Sequence, residues 1–378
     1  MTSLDELTQA LRDASVGDVS HLGEGVMVRP RGALEVSRAV AIAQKLGRPL
    51  RVRGEGDMLN APGPGAVLVD LSRLERVLEV DSRSAVARVE SGCQVASLDS
   101  QVRREGLTVG PLLVSTLRGS VGAWLAGPTR GERAAPPGRL ETAALALQVV
   151  LAGGTRAESR AGPRSATGPD LDHLVVGGQG RLAILVAATV RLLPLGGAPS
   201  DSAHGFDDVA PAIAALAALC RLPLPPARAR LERTDAGAAL GLRYEGPRAA
   251  RDSAKALALL VELGAQPLST GAAAGLQARV DAPTAAACDF ACDWSTLPAL
   301  FGAGARADLV ALHADGAFVT LPAPDGVDAL AAAGAATGAR LVWPTRLAPT
   351  DFWSGWGDGA ADRFRELQVR LDPAGMLR

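Results

Sequence analysis

The stretch VRGEGDML, residues 52–59, decides how the rest of the chain is read. Just before it, Pro49-Leu50-Arg51-Val52 is a short strand-forming run, and the chain then breaks into glycine at Gly54 and Gly56. A strand that opens into glycine is where a phosphate cradle is expected, because glycines let consecutive N–H groups approach an anion. Yet the loop carries Glu55 and Asp57, two negative charges where a diphosphate would lie. That placement is unfavourable unless a cation intervenes.

The pattern on either side is that of a mixed α/β unit. Leu4, Leu7 and Leu11 share one face of a helix over 4–14, and the run from Ala33 to Gly47 repeats apolar residues at three and four before a terminal glycine. After the loop come strands at 66–70 and in LERVLEVD and SAVARVE, the last two separated by a turn at Asp81-Ser82-Arg83. VASLDSQVRREG (95–106) is a helix with its stop signal. RGSVGAWLAGPTRGERAAPPG is too rich in glycine and proline for a long element. LETAALALQVVLAGGTRAES reads as a strand, a turn at Gly153-Gly154 and a return, PDLDHLVVG as a short helix, and AILVAATVRLLP as a buried strand ending at Pro194. GGAPSDSAHG (196–205) reads as a linker.

Beyond it the chain predicts helices at 208–220, 249–264, 325–337 and 359–370. Strands are expected near 228–233, 238–244 and 308–321, with a further apolar stretch at 285–293. That order suggests an antiparallel sheet with helices on one face. The expectation is α+β, with a first domain over 1–198 and a smaller cap over 206–378.

With 378 residues, 48% of them hydrophobic, and a formal net charge of -1, the composition supports a large core and points to neither nucleic acid nor a membrane surface as partner. The N-terminal MTSLDELTQALRDA has acids and no apolar core of a signal peptide, so the expected location is cytoplasmic. Cys93, Cys220, Cys288 and Cys292 show no CxxC spacing and read as buried thiols, so no metal site is expected.

The order of the glycine loop, VLVDLSRLERVLEVD and SVGAWLAG resembles the FAD-binding fold of the vanillyl-alcohol oxidase and p-cresol methylhydroxylase (PCMH-type) family. AGPRSATGPDLDHLVVGGQGRLAILVAATVRLLP is similar to the alkylglycerone-phosphate synthase branch, and LQVRLDPAGML resembles the family's closing helix and turn. The short second half and that ending also resemble the smaller flavin-type subunit of glycolate oxidase. The resemblance implies non-covalent FAD, since no histidine lies in or beside the loop. Arg53, Gly54, Glu55, Gly56, Asp57 and Met58 would wrap the diphosphate. Ser115, Ser120, Val121, Gly122, Ala123 and Trp124 would run past diphosphate and isoalloxazine, and Gly180, Arg181 and Ile184 would meet the adenine side.

It implies an FAD-linked oxidoreductase, or a subunit of one, acting on a small 2-hydroxy acid or related substrate, with homo- or hetero-oligomers possible. Two alternatives stand beside it: an alkylglycerone-phosphate-synthase-like enzyme, and a flavin-poor scaffold or partner subunit. Catalytic residues are not identified. His21, His173, His204 and His313 are never adjacent, Tyr244 is the one tyrosine, and ARLVWPTRLAP stands where the synthase branch has its histidines. Trp343, Phe352, Trp353 and Trp356 are read as an interface or a substrate wall, and Arg118 and Arg130 as surface residues or anion contacts. Arg181 is read as a partner for Glu55 or Asp57, filling the cradle; in the other reading both acids turn outward and backbone N–H groups hold FAD.

Overall fold

The computed structural model describes residues 3–54, 63–110, 112, 114–127, 143–162, 172–222, 225–235 and 237–268. Beyond these it describes the segments 287–293, 306–310, 316–322, 340–344 and 358–377, with a few isolated positions between.

The first sheet is built from β1 (Asp18–Leu22), β2 (Gly25–Arg29), β3 (Leu50–Arg53) and β4 (Val67–Asp70), in the order β1-β2-β4-β3. β2 and β3 both run parallel to β4, with helix α2 (Ala33–Lys45) as the crossover between β2 and β3. Parallel strands need such a crossover, and it covers one face of the sheet. Helix α1 (Leu4–Asp13) starts on a capping box, in which Ser3 Oγ accepts from Glu6 N and Glu6 Oε2 accepts from Ser3 N. Leu7 and Leu11 then bury against Val36, Val40, Val26 and Val28.

The second sheet has the order β5-β6-β10-β8-β9, with β5 (Val77–Asp81), β6 (Val86–Glu90), β8 (Ala144–Leu151), β9 (Arg156–Glu158) and β10 (Ala183–Arg191), all antiparallel. Strand β10 explains its own unbroken apolar run. Ile184 and Val186 pack into the core of the first sheet, while Ala183 and Leu185 face α3 (Val95–Arg103) and the short helix α5 (Val121–Ala126). A strand covered on both faces has no polar side to show. Two short helices, α4 (Val114–Arg118) and α5, occupy the glycine-rich stretch for which the sequence indicates only the absence of a long element. Helix α6 (Asp172–Val175) is a single turn, and β7 (Leu107–Thr108) pairs with β11 (Leu193–Pro194) at the end of this unit.

The second half carries an eight-stranded antiparallel sheet in the order β15-β12-β14-β13-β17-β18-β16-β19. Its strands are β12 (Ser200–Phe206), β13 (Arg228–Thr234), β14 (Gly237–Tyr244), β15 (Gln266–Pro267), β16 (Ala287–Asp293), β17 (Arg306–Val310), β18 (Gly316–Pro322) and β19 (Arg340–Pro344). Helices α7 (Val209–Arg221) and α8 (Ala249–Glu262) pack on it, with Ile213, Leu216, Leu219 and Leu260 against Leu231, Leu240, Leu242 and Phe206.

Strand β12 lies inside the stretch the sequence reads as linker. SDSAHGF is polar, but it pairs with β14 over seven residues and with β15 on its other side, so its order comes from neighbours and not from its own composition. The connection proper is therefore short, and Gly196 lies directly against the backbone of Gly246. Cys288 and Cys292 lie on strand β16. Cys93 and Cys220 are buried and free. The helix expected over 325–337, His313, Arg130, Phe352, Trp353 and Trp356 lie outside the described residues.

The last described residues return to the first half. Helix α9 (Asp358–Leu371) is followed by a turn that places Met376 and Leu377 inside the core of the first sheet. Leu50 N donates to Met376 O at 2.6 Å, and Leu50 and Leu377 form a parallel bridge. Asp372, itself buried, accepts from Leu377 N at 2.7 Å, while Gln368 Nε2 donates to Leu377 O at 3.2 Å. No helix among the described residues is long and apolar enough to cross a membrane.

Two outcomes follow from this packing. Met376→Ala and Leu377→Ala remove side chains that are 3% and 1% exposed, so each should lower unfolding free energy by about 2–5 kcal/mol in denaturant titration. His204 sits on β12 with Ser202 Oγ 3.0 Å from its Nε2, and burial depresses its pKa below the usual 6.5. Below 6.5 the unfolded chain binds a proton that the folded one refuses, so stability falls as the medium is acidified through that value and is unaffected above it. Thermal melts from pH 7.5 to 5.5 should show this loss, and His204→Gln should reduce its slope.

Candidate functional site

β3 ends at Arg53, and Gly54 follows at the point where the first sheet meets α5. A methyl group built on Gly54 would come to 2.6 Å from Ser120 Oγ and 3.8 Å from Ala123 Cβ, so only bare backbone fits here. Ser120 is fully buried and caps α5, its Oγ accepting from Ala123 N at 3.2 Å. The exit of β3 and the start of α5 are therefore one packed junction, built from residues more than sixty positions apart in the chain.

α5 is held from beneath by residues 91–95. Val121 N donates to Cys93 O at 2.8 Å, Gly122 N to Ser91 O at 2.6 Å, and Val95 N to Gly119 O at 3.0 Å. Gly122 is needed for closeness: a Cβ there would lie 2.9 Å from Ser91 O and 3.0 Å from Ser91 Cβ. With Trp124 N bonded to Ser120 O at 2.9 Å, the N–H groups of the first turn of α5 are all used within the protein. The side chain of Ala123 is on the exposed side, while Val121 and Trp124 are buried. Ser91 Oγ and Trp124 Nε1, both buried, have no hydrogen-bond partner among the described residues.

The third segment closes the arrangement. Gly177 N donates to Leu125 O at 2.9 Å and Gln179 N to Ala126 O at 2.8 Å, so the turn before β10 is tied to the far end of α5. Gly180 lies beside β3, where a Cβ would meet the Val52 side chain at an ordinary contact distance of 3.7 Å, and its φ of +73° is what favours glycine. Arg181 follows. It is half-buried, and burial together with the charge of Arg51 depresses its pKa. Arg53 faces a different partner, since its neighbour across the ladder is Asp70. Burial raises the Asp70 pKa, but hydrogen bonds from Ser72 and Arg29, with the charge of Arg53, outweigh this and hold the carboxyl below its usual range.

Gly54, Ser120, Ala123, Gly180 and Arg181 are thus brought together around the end of β3. Ile184 is fully buried in the core, its main chain paired with Val150. Ser115 lies in α4 and Arg118 is exposed at that helix's end. Glu55, Gly56, Asp57 and Met58, and with them the expected pairing to Arg181, lie outside the described residues. What the sequence leaves unseen is the shelf formed by Ser91 and Cys93, whose carbonyls hold α5; SGCQ carries no residue signal for that task.

Among the described histidines, His21 is on β1, the far edge of the first sheet from β3, with Thr8 Oγ1 3.4 Å away. His173 is exposed on α6. His204 shares its side of β12 with Phe206, in the layer covered by α7 and α8. Tyr244 is in that same layer, where burial, Cys220 and Asp252 raise its pKa. Burial pushes the Cys220 thiol up to about 12, so neither group is a base at neutral pH.

Residues 25–159 match the FAD binding domain family. Alkyldihydroxyacetonephosphate synthase of Dictyostelium discoideum is 28% identical over 193 residues, covering 49% of this chain and 31% of that protein. D-lactate dehydrogenase of Archaeoglobus fulgidus is 32% identical over 174 residues, 45% of this chain and 39% of its own length. Glycolate oxidase subunit GlcD of Bacillus subtilis is 29% identical over 178 residues, 44% and 37% respectively. The match thus spans about a third of each of these relatives. The fold agrees over nearly the whole chain with that of p-cresol methylhydroxylase with substrate bound, at a TM-score of 0.75 and 14% identity over 98% of this chain and 95% of that one.

The junction of Gly54 with Ser120 allows a direct check. Gly54→Ala should destabilise the protein by about 1–3 kcal/mol, because the new methyl meets a buried hydroxyl. In a Ser120→Ala background, which removes that oxygen, the same change should cost less. A double-mutant cycle on thermal or denaturant unfolding reads the difference.

Proposed function

We propose that the chain is a PCMH-type FAD-linked oxidoreductase and that it, or an assembly of which it is a subunit, oxidises a small 2-hydroxy acid. The observation that carries this is the convergence of Gly54 and Ser120–Ala123, both inside the stretch that matches an FAD binding domain, with Gly180–Arg181 from the turn before β10. Two of the relatives are named for lactate and glycolate, both 2-hydroxy acids. FAD is the cofactor of this family, and the residues present fit it: glycine at Gly54 and Gly180 keeps side chains out of the path, and Ala123 adds only a methyl on the exposed side.

In this reading Arg53–Gly54 and Gly180–Arg181 hold the ADP half, and Ser120–Trp124 line the flavin side. FAD supplies the two-electron acceptor. The chain's part is to position it: the capped, backbone-bonded α5 fixes one wall, and the turn at 177–180 fixes the other. The two halves of the protein touch where Arg228 on β13 donates from Nη2 to Leu112 O at 3.1 Å.

A second reading, a partner subunit that does not itself turn over substrate, is favoured by one observation: His204 and Tyr244, the described candidates from the second half, both face the helix layer of their own sheet. The alkylglycerone-phosphate-synthase-like alternative has ARLVWPTRLAP at 339–349 against it, a segment without histidine.

The purified protein should show the visible flavin absorption bands, and denaturation by acid or heat should release all of the flavin into the supernatant. Anaerobic addition of glycolate or D-lactate should bleach the bands. Bleaching only after a further subunit is added would establish the partner reading; a colourless protein that takes up no FAD would end the flavin reading.

A further inference from the structure

We propose that Arg228 is an anion-binding residue that takes a single carboxylate where the two halves of the protein touch, and that this is the carboxylate of the 2-hydroxy acid. The inference rests on the substrate reading above and deepens it by naming the group that selects for an acid.

The alternation of β13 sets the direction of this side chain. Ala229 and Leu231 are buried in the layer covered by α7 and α8, so Arg228 and Arg230 stand on the opposite face of the sheet. At Arg228 that face meets the first half. Its Nη2 reaches Leu112 O at 3.1 Å, and Leu112 is fully buried in the core to which α3 and α5 contribute. Leu112 stands two residues before α4, in the stretch that leads on to α5, the wall assigned above to the flavin side.

The neighbouring arginines on this face of β13 and β14 are paired. Arg230 donates from Nε to Glu232 Oε1 at 2.9 Å. Arg243, directly across the ladder from Arg228, makes two bonds of 2.7 Å to the carboxylate of Asp201. Arg228 differs from both. Among the described residues no carboxylate pairs with it, its acceptor is an uncharged carbonyl, and its Nε is buried with no hydrogen-bond partner. A guanidinium drawn partly out of water without an anion is costly, and a bound carboxylate removes that cost. The planar fork of Arg suits a carboxylate through two parallel bonds, and the orphaned Nε is one of the donors such a pair uses. Since Arg230–Glu232 and Arg243–Asp201 are each neutral as pairs, Arg228 leaves a surplus of one positive charge among them. That surplus suits a monocarboxylate better than a doubly charged phosphate.

The test is calorimetric titration of the purified full chain with two small ligands. Oxamate has the carboxylate of a 2-hydroxy acid but no hydrogen on the neighbouring carbon to give up; lactamide has an uncharged amide in place of the carboxylate. The wild-type protein should bind oxamate about tenfold or more tightly than lactamide. Arg228→Gln should weaken oxamate about tenfold and leave lactamide unchanged, while Arg228→Lys keeps part of the affinity. Oxamate should also raise the melting temperature of the wild type, and that rise should vanish in Arg228→Gln. Unchanged oxamate affinity in Arg228→Gln overturns the proposal. So does equal weakening of both ligands, which marks Arg228 as a structural tie to Leu112, and so does a wild-type protein that binds neither ligand. Flavin bleaching by D-lactate or glycolate separates this from the substrate reading. Bleaching in the wild type with oxamate affinity unaffected by the variants overturns the role of Arg228 alone. No bleaching, with oxamate binding still dependent on Arg228, overturns the oxidation reading and leaves the carboxylate site standing.

Discussion

The edge of β3 is the constraint on which the site depends. An edge strand presents unpaired N–H and C=O groups, and an unmatched one invites slippage or association. Here the strand is held in two places by distant chain, through backbone pairing at its start and a side-chain contact near its end. Met376 and Leu377 pair with Leu50 at the strand's start, and Gly180 lies against Val52 near its end. Between them they fix the direction in which Arg53 delivers the chain to Gly54. The clasp is itself braced, because Leu377 is bonded through both its N–H and its carbonyl to Asp372 and Gln368. Loosening Leu50 would let the β3 exit drift from Ser120, and the junction tolerates little drift.

The second sheet supplies the rigid frame for the same junction. β10 is buried on both faces, so its register against β6 and β8 is set by packing from two sides. The turn at 177–180 hangs from its start, and α5 is bonded to that turn at one end and to residues 91–95 at the other. The site is thus assembled from three loops or short elements, each anchored to a strand or helix that cannot shift by one residue without moving a whole face of the core.

Much of this was legible in the sequence. The helices α1, α2, α3, α7 and α8 and the strands around the glycine loop follow from apolar spacing, because burial on one face leaves a period in the residues. Strand β12 escaped it because SDSAHG has no apolar alternation and gains its order from β14 and β15. The helices α4 and α5 escaped it for another reason: a helix of five or six residues is too short to show a period, and α5 is held by its burial, the Ser120 cap and the bonds to Ser91 and Cys93. For the site, the glycines could be named from the loop and from the resemblance, but their joining could not. The contacts between Gly54 and Ser120, and between Gly180 and Val52, link residues far apart in the chain and leave no local trace.

The pairing of Leu50 with Met376 and Leu377 also sets an order of events during synthesis. β3 emerges early, yet the residues that complete its edge are made more than three hundred positions later. At about 5–20 residues per second, the strand waits on the order of tens of seconds with one side open. The unit that receives the cofactor is therefore encoded first but closed last. A nascent chain arrested before residue 376 holds every glycine of the site while lacking the fastening that aligns them.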